Sequence, residues 1–266
     1  SEGDPARVLD VWEEWGFNTE QLLHISAEGY SGFYRPDREE QIRRYVERAH
    51  GKGIRIIFYL APGAGAAELV AAHPEDLQCR ADGASADAGP CRNSPYREQL
   101  FGMVREVARL GSDGVFLDGP IVAQGACTCR FCQDLFRAAN GAPLPAREDI
   151  HDPLWHRFME FRYDTIARCI RDARAVLREV RPQAVFYMNS QGFSSGLGCA
   201  RENRRLVAHQ DILGAEGGFI FYVQPDKVPF WKPGATAKLI ETQAAGKPTV
   251  VFVAGDHKPW HRHLHT

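Results

Sequence analysis

The sequence predicts an α/β protein built as a TIM-like (β/α)8 barrel that is incomplete at its C-terminal end. The chain has 266 residues, close to the roughly 250 that one such barrel needs. Segments of helical and strand periodicity alternate from end to end, and continuously apolar strands indicate a parallel sheet covered on both faces. Because no change of composition and no internal repeat divides the chain, we expect one domain over residues 1–266.

Each element is predicted from its periodicity and its end signals. Asp37 is a suitable N-cap for the second helix, and the β-branched and aromatic run Ile54–Leu60 is a clear strand. Residues 77–80 form a weaker strand before a Gly-rich loop over 81–90. In chain order the other predicted elements are a helix 6–15, a strand 17–25, helices 38–51 and 95–110, a strand 115–117, a helix 153–180, strands 184–188 and 212–215, a helix 234–245 and a strand 248–253.

The strand count leaves the predicted barrel one unit short. Seven strands result when residues 77–80 are included, so the last strand–helix unit is missing, and a homo-oligomer or a further C-terminal domain would complete the protein. A Rossmann-type sheet is the rival arrangement. We do not favour it, because no Gly-x-Gly-x-x-Gly follows any predicted strand and no P-loop is present.

Charge and hydropathy exclude several classes of partner. The chain has 32 Lys and Arg against 34 Asp and Glu, a balance unlike that of a general nucleic-acid binder. No apolar run approaches the roughly 20 residues that span a bilayer, so we expect no membrane partner. Residues 1–5 lack the pattern of a signal peptide, although a leader could have been removed before Ser1. Together with an odd count of seven cysteines, this favours the cytoplasm.

Polar side chains follow nearly every predicted strand, at the end where a (β/α) barrel carries its reactive groups. Any single one of these polar residues is as often an ordinary loop residue as a functional one. A barrel without a function, however, does not need polar residues after nearly every strand. Aromatic rings near the same end, Trp231 among them, are of the kind that stacks on sugars. The candidates for substrate binding are His24, Glu28, Tyr59, Asn189, Asp256, His257 and Trp260.

Two carboxylates stand out as catalytic candidates. Asp118 follows an apolar strand and precedes Gly119-Pro120, and Glu216 precedes two glycines that leave space for a ligand. A pair of carboxylates facing one pocket is the minimum machinery for glycoside hydrolysis, one as nucleophile or base and one as proton donor. The alternative interpretation is a metal-binding pair, with His24 or His257 as a further ligand.

Four cysteines are candidates for a metal site. Cys127, Cys129 and Cys132 lie within six residues, and Cys91 lies in the loop after the preceding predicted strand. Four thiolates suit a closed, structural Zn²⁺ site. Free thiols and one or more disulfides are the alternatives. We expect Arg162, on the long helix, to be solvated or ion-paired.

The string Asp113–Pro120, followed by the spaced cysteines and Phe136, resembles the barrel domains of bacterial "hypothetical glycosyl hydrolase" families. These families are distantly similar to α-L-fucosidases and α-galactosidases. The resemblance covers about residues 6–255 and implies a TIM-like barrel with a nucleophilic Asp after the fourth strand, where Asp118 lies. It implies an acid/base carboxylate after the sixth strand, the position of Glu216, although this chain has Glu where those relatives have Asp.

The leading functional hypothesis is therefore a glycoside hydrolase with a carbohydrate substrate, no cofactor for catalysis and a structural zinc ion. A non-catalytic carbohydrate-binding barrel is the first alternative. A metal-dependent hydrolase that uses His and Asp residues at the strand ends is the second.

Overall fold

The computed structural model describes residues 5–22, 36–61, 71–193, 196–217 and 231–253, which include eight strands and seven α-helices. Within these ranges no helix combines the length and the apolar character needed to cross a bilayer. The strands are β1 (Thr19–Leu22), β2 (Arg55–Leu60), β3 (Leu77–Cys79), β4 (Ser85–Pro90), β5 (Gly114–Leu117), β6 (Val185–Met188), β7 (Leu213–Glu216) and β8 (Thr249–Phe252). The helices are α1 (Pro5–Glu14), α2 (Pro36–Gly51), α3 (Tyr96–Arg109), α4 (Arg130–Asn140), α5 (Pro153–Val180), α6 (Asn203–Leu206) and α7 (Lys232–Gln243).

Six of the described strands run parallel, in the order β1-β2-β5-β6 followed by β7-β8. An isolated parallel bridge between Asn189 and Gly214 connects β6 to β7. Helices connect the successive parallel strands. The predicted fold class, a parallel α/β arrangement of barrel type, is confirmed.

Side-chain contacts show that the sheet is curved. The Tyr187 hydroxyl on β6 donates a hydrogen bond to Gln21 Oε1 on β1, at 2.6 Å. These strands are three positions apart, and in a flat sheet they would be separated by about 14 Å. The Phe116 ring on β5 likewise lies 5.0 Å from the Phe252 ring on β8. The inner faces of the strands therefore enclose a common interior.

Alternation along each strand decides which residues face that interior. On β2, Ile56 and Phe58 pack into the core between sheet and helices, while Ile57 and Tyr59 belong to the inner cluster. Successive side chains of a strand point to opposite faces. At the carboxyl ends of β5, β6 and β7 the inner rows lead to the side chains of Asp118, Asn189 and Glu216, the last of which is the final residue of β7.

The weak strand predicted over 77–80 exists, but it lies outside the parallel set. β3 pairs antiparallel with β4, so most of the predicted Gly-rich loop is a strand. The reason is a tight turn, in which Asp82 accepts a hydrogen bond from the Ala84 amide and Gly83 has a φ of +83°. Among the described residues the parallel strands therefore number six. Asp118 follows the third of them and Glu216 the fifth, instead of the fourth and sixth.

Two further differences from the predicted elements concern helices. Helix α2 begins at Pro36, so Asp37 lies inside it and is not its N-cap. Helix α4 was not predicted, although Gly141 ends it with a φ of +66°, a common helix C-terminal signal.

Two carboxylates accept hydrogen bonds from backbone amides at the amino ends of the strands. Asp113, directly before β5, accepts a hydrogen bond from the Ile56 amide at 2.9 Å and lies 2.7 Å from His50 Nε2. Asp211, before β7, accepts in the same way from the Phe186 amide. These contacts distinguish the structural end of the barrel from the opposite end, where Asp118 and Glu216 lie.

Candidate active site

The side chain of Asn189 contacts both candidate catalytic carboxylates. Its Nδ2 atom donates to Asp118 Oδ1 at 3.0 Å and to Glu216 Oε1 at 2.9 Å. An amide nitrogen carries two hydrogens, so each carboxylate receives its own bond. Because one nitrogen reaches both, the two accepting oxygens are no more than about 6 Å apart, which is within the range of a catalytic carboxylate pair. The structure thus brings together three residues from three neighbouring strands.

Tyr59 supports the first of these carboxylates. Its hydroxyl donates a hydrogen bond to Asp118 Oδ2, so both Asp118 oxygens have a donor. Tyr59 and Asn189 were predicted to bind substrate, and in this structure their polar groups contact the carboxylates.

Glu216 has the environment of a proton donor. Burial and, second, the nearby negative charge of Asp118 raise the pKa of the Glu216 carboxyl above its ordinary value. The hydrogen bond from Asn189 and the charges of Arg201 and Lys232 act in the opposite direction. A carboxyl whose pKa is raised in this way is suited to give up a proton during a reaction.

Arg201 is a part of the site that sequence reasoning missed. It lies in the connection after β6, and its Nε donates to the Pro120 carbonyl at 3.4 Å. A Cβ atom on Gly119, which has a φ of +72°, would lie 3.3 Å from Arg201 Nη2. The guanidinium therefore packs against the turn that carries Asp118. No spacing in the sequence indicates this contact, because it depends on how the connection folds back.

The four predicted metal ligands come together as one buried cluster. The sulfur atoms of Cys91, Cys127, Cys129 and Cys132 all lie within 4.8 Å of one another, and each side chain is buried. No pair of them is a disulfide. Separations of 3.2 Å (Cys127–Cys129), 3.4 Å (Cys91–Cys129) and 3.5 Å (Cys91–Cys132) compare with about 3.8 Å between sulfurs in a tetrahedral Zn–S site. The cluster can hold one metal ion.

Asn93 donates hydrogen bonds to two of these sulfur atoms. Its backbone amide donates to Cys91 Sγ at 3.3 Å, and its Nδ2 donates to Cys132 Sγ at 3.2 Å. Such N–H to sulfur bonds stabilise thiolate ligands and fix their orientation. Hydrogen bonds among the four thiols lower the pKa of Cys129 and raise the pKa of Cys91 and Cys132, so binding of a metal ion by all four thiolates would release protons.

The chain between Asp118 and the cysteines is held by two buried polar side chains. Arg162 is only 4% exposed, and its Nη2 donates to the carbonyls of Val122 and Ala123. Arg162 is therefore not solvated, because the α5 face that carries it packs under this loop. The Gln78 side chain of β3 donates to the Ile121 carbonyl and accepts from the Ala123 amide.

Several predicted residues fall outside the part of the chain that the structure describes. These are His24, Glu28, Asp256, His257 and Trp260. Among the described residues, the four cysteines are the one group with the geometry of a metal site. A cavity of about 900 Å³ borders Gly192 and Arg201, but the rest of its lining includes residues of α5 and α7, which places it on the outer side of the strands.

Comparison with known proteins gives matches to solved structures. No family model matches the chain, and no curated protein does. A β-galactosidase from Rahnella sp. R3 superposes with a TM-score of 0.70 at 19% identity, over 97% of this chain and 43% of its own. A β-galactosidase from Bacillus circulans sp. alkalophilus superposes with a TM-score of 0.70 at 14% identity, over 93% of this chain and 42% of its own. The α-L-fucosidase isoenzyme 2 from Paenibacillus thiaminolyticus superposes with a TM-score of 0.63 at 18% identity, over 99% of this chain and 39% of its own.

The chain spans less than half the length of each of these three proteins. A further match, at a TM-score of 0.65 and 18% identity, is a β-galactosidase named as a member of the GH42 family. At these identities the likeness concerns the fold alone. The fold of this chain is accordingly one that glycoside hydrolases use.

Proposed function

We propose that this chain is a glycoside hydrolase domain in which Asp118 is the nucleophile and Glu216 the proton donor. The observation that carries the proposal is the Asn189 amide that contacts both carboxylates, at the strand ends where a (β/α) barrel places its chemistry. The raised pKa of Glu216 and the likeness to glycosidase folds support it. The resemblance of the Asp113–Pro120 string to hypothetical glycosyl hydrolase families agrees with this assignment.

The shared contact with the Asn189 amide favours a retaining mechanism, because it holds one oxygen of each carboxylate within about 6 Å of the other. Retaining enzymes hold the two groups about 5–5.5 Å apart, and inverting enzymes about 6.5–9.5 Å to leave room for a water molecule. In the proposed reaction Asp118 attacks the anomeric carbon while Glu216 protonates the departing oxygen. A water molecule, deprotonated by Glu216, then releases the sugar from the glycosyl–enzyme and restores both carboxyls.

A screen of 4-nitrophenyl glycosides tests the proposal. The panel includes β-D-galactopyranoside and α-L-fucopyranoside, the activities named for the structural neighbours. We expect hydrolysis of at least one member, and product analysis by NMR should show the anomeric configuration retained. A purified, folded chain that cleaves no member of a broad panel would favour a non-catalytic carbohydrate-binding barrel.

Replacing Glu216 with Gln removes the proposed proton donor and keeps the size and shape of the side chain. We expect kcat/KM to fall by about 10²–10⁴ on glycosides with poor leaving groups, and far less on 2,4-dinitrophenyl glycosides, whose leaving group needs no proton. Added azide should speed release of the sugar from the glycosyl–enzyme, because this nucleophile needs no base. Equal losses on both classes of substrate would contradict the role.

Arg201 should influence the pH at which kcat/KM falls on the basic side of its pH profile. The Glu216 proton donor is active when protonated, so activity falls as pH rises through its pKa. Because the charge of Arg201 lowers that pKa, Arg201→Met should move the basic limb of kcat/KM to higher pH. Arg201→Lys keeps the charge and should restore a limb near that of the parent. A limb that stays in place in Arg201→Met would show that this charge does not act on Glu216.

We also propose that the four-cysteine cluster holds a structural Zn²⁺ ion. All four ligands are sulfur atoms and all are buried, which leaves no open position for a substrate or a water molecule. When bound, the metal would supply cross-linking between the loop that carries Cys91 and the start of α4.

A further inference from the structure

Two residues with exposed aromatic side chains lie near the carboxyl end of β7, the strand that ends at Glu216. Phe193, four residues after Asn189, is 54% exposed, and Trp231, which directly precedes α7, is 55% exposed. Their ring centroids are 6.4 Å apart and the rings are nearly perpendicular, at 87°. Neither ring belongs to the buried apolar clusters of the described residues. The pair therefore forms an apolar corner that is open to solvent.

The backbone places this corner next to Glu216. A Cβ atom on Gly192 would lie 3.8 Å from the Glu216 carbonyl oxygen and 4.0 Å from Thr236 Cγ2 of α7. The connection after β6 and the first turns of α7 thus meet at the carboxyl end of β7. Phe193 directly follows Gly192, and Trp231 directly precedes Lys232, whose charge acts on Glu216. The backbone segments that carry the two rings consequently lie near the carboxyl end of β7, where the residue proposed to protonate the leaving group is located.

A second exposed aromatic group shows that exposure by itself does not define a site. Trp15 is 66% exposed and packs with Trp12 and Phe17, at ring-centroid distances of 5.9 and 6.3 Å. Trp15 and Phe17 lie in the connection from α1 to β1, and Trp12 lies in α1, so this group is at the amino end of β1. The corner formed by Phe193 and Trp231 is distinguished by its place in the fold, near the carboxyl end of β7.

We infer that Phe193 and Trp231 form a saccharide subsite, in which a neutral pyranose ring next to the cleaved bond stacks on an aromatic face. The inference deepens the proposed hydrolase function and rests on it. An aromatic face carries partial negative charge, and the C–H bonds on the apolar face of a sugar present partial positive charge to it. Two perpendicular rings offer a face and an edge together, which restricts how a sugar ring can lie. The subsite takes an oligosaccharide of at least two units.

Binding measured without turnover tests the subsite. Parent, Phe193→Ala, Trp231→Ala and Trp15→Ala chains, each carrying Asp118→Asn to prevent hydrolysis, are applied to an array of immobilised neutral oligosaccharides that includes galactosides and fucosides. The free form of the strongest ligand is then titrated by calorimetry. We expect about tenfold weaker binding or worse for Phe193→Ala and Trp231→Ala, and no change for Trp15→Ala. Thermal unfolding should be almost unchanged in all three, because each ring is more than half exposed.

The outcomes separate this inference from the proposed function. Equal binding by all four chains, or no binding to any glycan by the parent, overturns the subsite. Glycan binding that depends on the two rings, in a protein whose Asp118-containing form cleaves nothing, supports the subsite and refutes the hydrolase. Cleavage of an oligosaccharide with the same KM in Trp231→Ala, Phe193→Ala and the parent supports the hydrolase and refutes the subsite.

Discussion

Replacing Asp118 with Asn should lower kcat by about 10⁴-fold or more on every substrate that the parent chain cleaves, because the proposed nucleophile is lost. The folded structure should persist. Asp118 accepts from Tyr59 on one oxygen and from Asn189 on the other, and the single oxygen of an amide can satisfy only one of these donors. We expect the mismatch to cost about 1–3 kcal/mol, less than the 5–15 kcal/mol by which a domain is stable.

Asp113→Asn is the matched control for this experiment, since Asp113 and Asp118 flank the same strand, β5. Asp113 bonds to the Ile56 amide and to His50 at the amino end of the sheet. We therefore expect Asp113→Asn to lower the melting temperature by a few degrees and to leave kcat unchanged. Rates on 4-nitrophenyl glycosides and calorimetric melting of both variants provide the comparison. An Asp118→Asn chain with parental activity, or equal losses of activity in both variants, would show that Asp118 is not the nucleophile.

Sequence patterns predicted the parts of the fold that depend on local periodicity. The strand Ile54–Leu60 and the helix 153–180 carry long, regular apolar patterns, and both occur almost as predicted. The positions of Asp118 and Glu216 could be predicted for a related reason. Asp118 directly follows an apolar strand and Glu216 is the last residue of one, and in a parallel α/β arrangement such positions all lie at one end of the sheet.

Features that depend on distant contacts could not be predicted. Residues 77–80 look like a barrel strand, because periodicity does not show which partner a strand pairs with, and the turn at Gly83 makes them part of a hairpin. Arg162 looks like a surface residue, since its buried partners are carbonyl groups 39 and 40 residues away. The contact of Asn189 with both carboxylates likewise requires the three strands to be neighbours, which only the folded chain shows.

Removal of the proposed zinc ion should affect stability much more than the rate of catalysis. The loop from Asp118 to the cysteines is held by Arg201 at Pro120, by Gln78 at Ile121 and Ala123, and by Arg162 at Val122 and Ala123. None of these hydrogen bonds involves the sulfur atoms. The turn that carries Asp118 should therefore keep its place at low temperature after the metal ion is lost, and kcat should change little.

Cys132→Ser should remove the zinc ion and destabilise the domain. Cys132 lies in the first turn of α4, is 2% exposed, and contacts both Cys91 and Asn93. A hydroxyl is a poor ligand for zinc in a thiolate site, so the variant should not bind the ion. The three remaining cysteine side chains would then stay buried and crowded without the metal ion that balances the charge of their thiolates. We expect about one zinc per parent chain and almost none in the variant. The free energy of unfolding should fall by about 4 kcal/mol, and the melting temperature by roughly 10 °C.

Two other cysteines provide controls for the loss of a thiol. Cys79 is half-buried beside Thr128 and outside the cluster, so Cys79→Ser should keep the full zinc content. Cys169 is fully buried on α5, and Cys169→Ala should cost about 1 kcal/mol for the cavity while the zinc content stays the same. Elemental analysis measures the zinc content of the three variants, and denaturant unfolding measures their stability. A parent chain that contains no metal after expression with zinc, or a Cys132→Ser chain as stable as Cys79→Ser, would show that the cluster is not a structural zinc site.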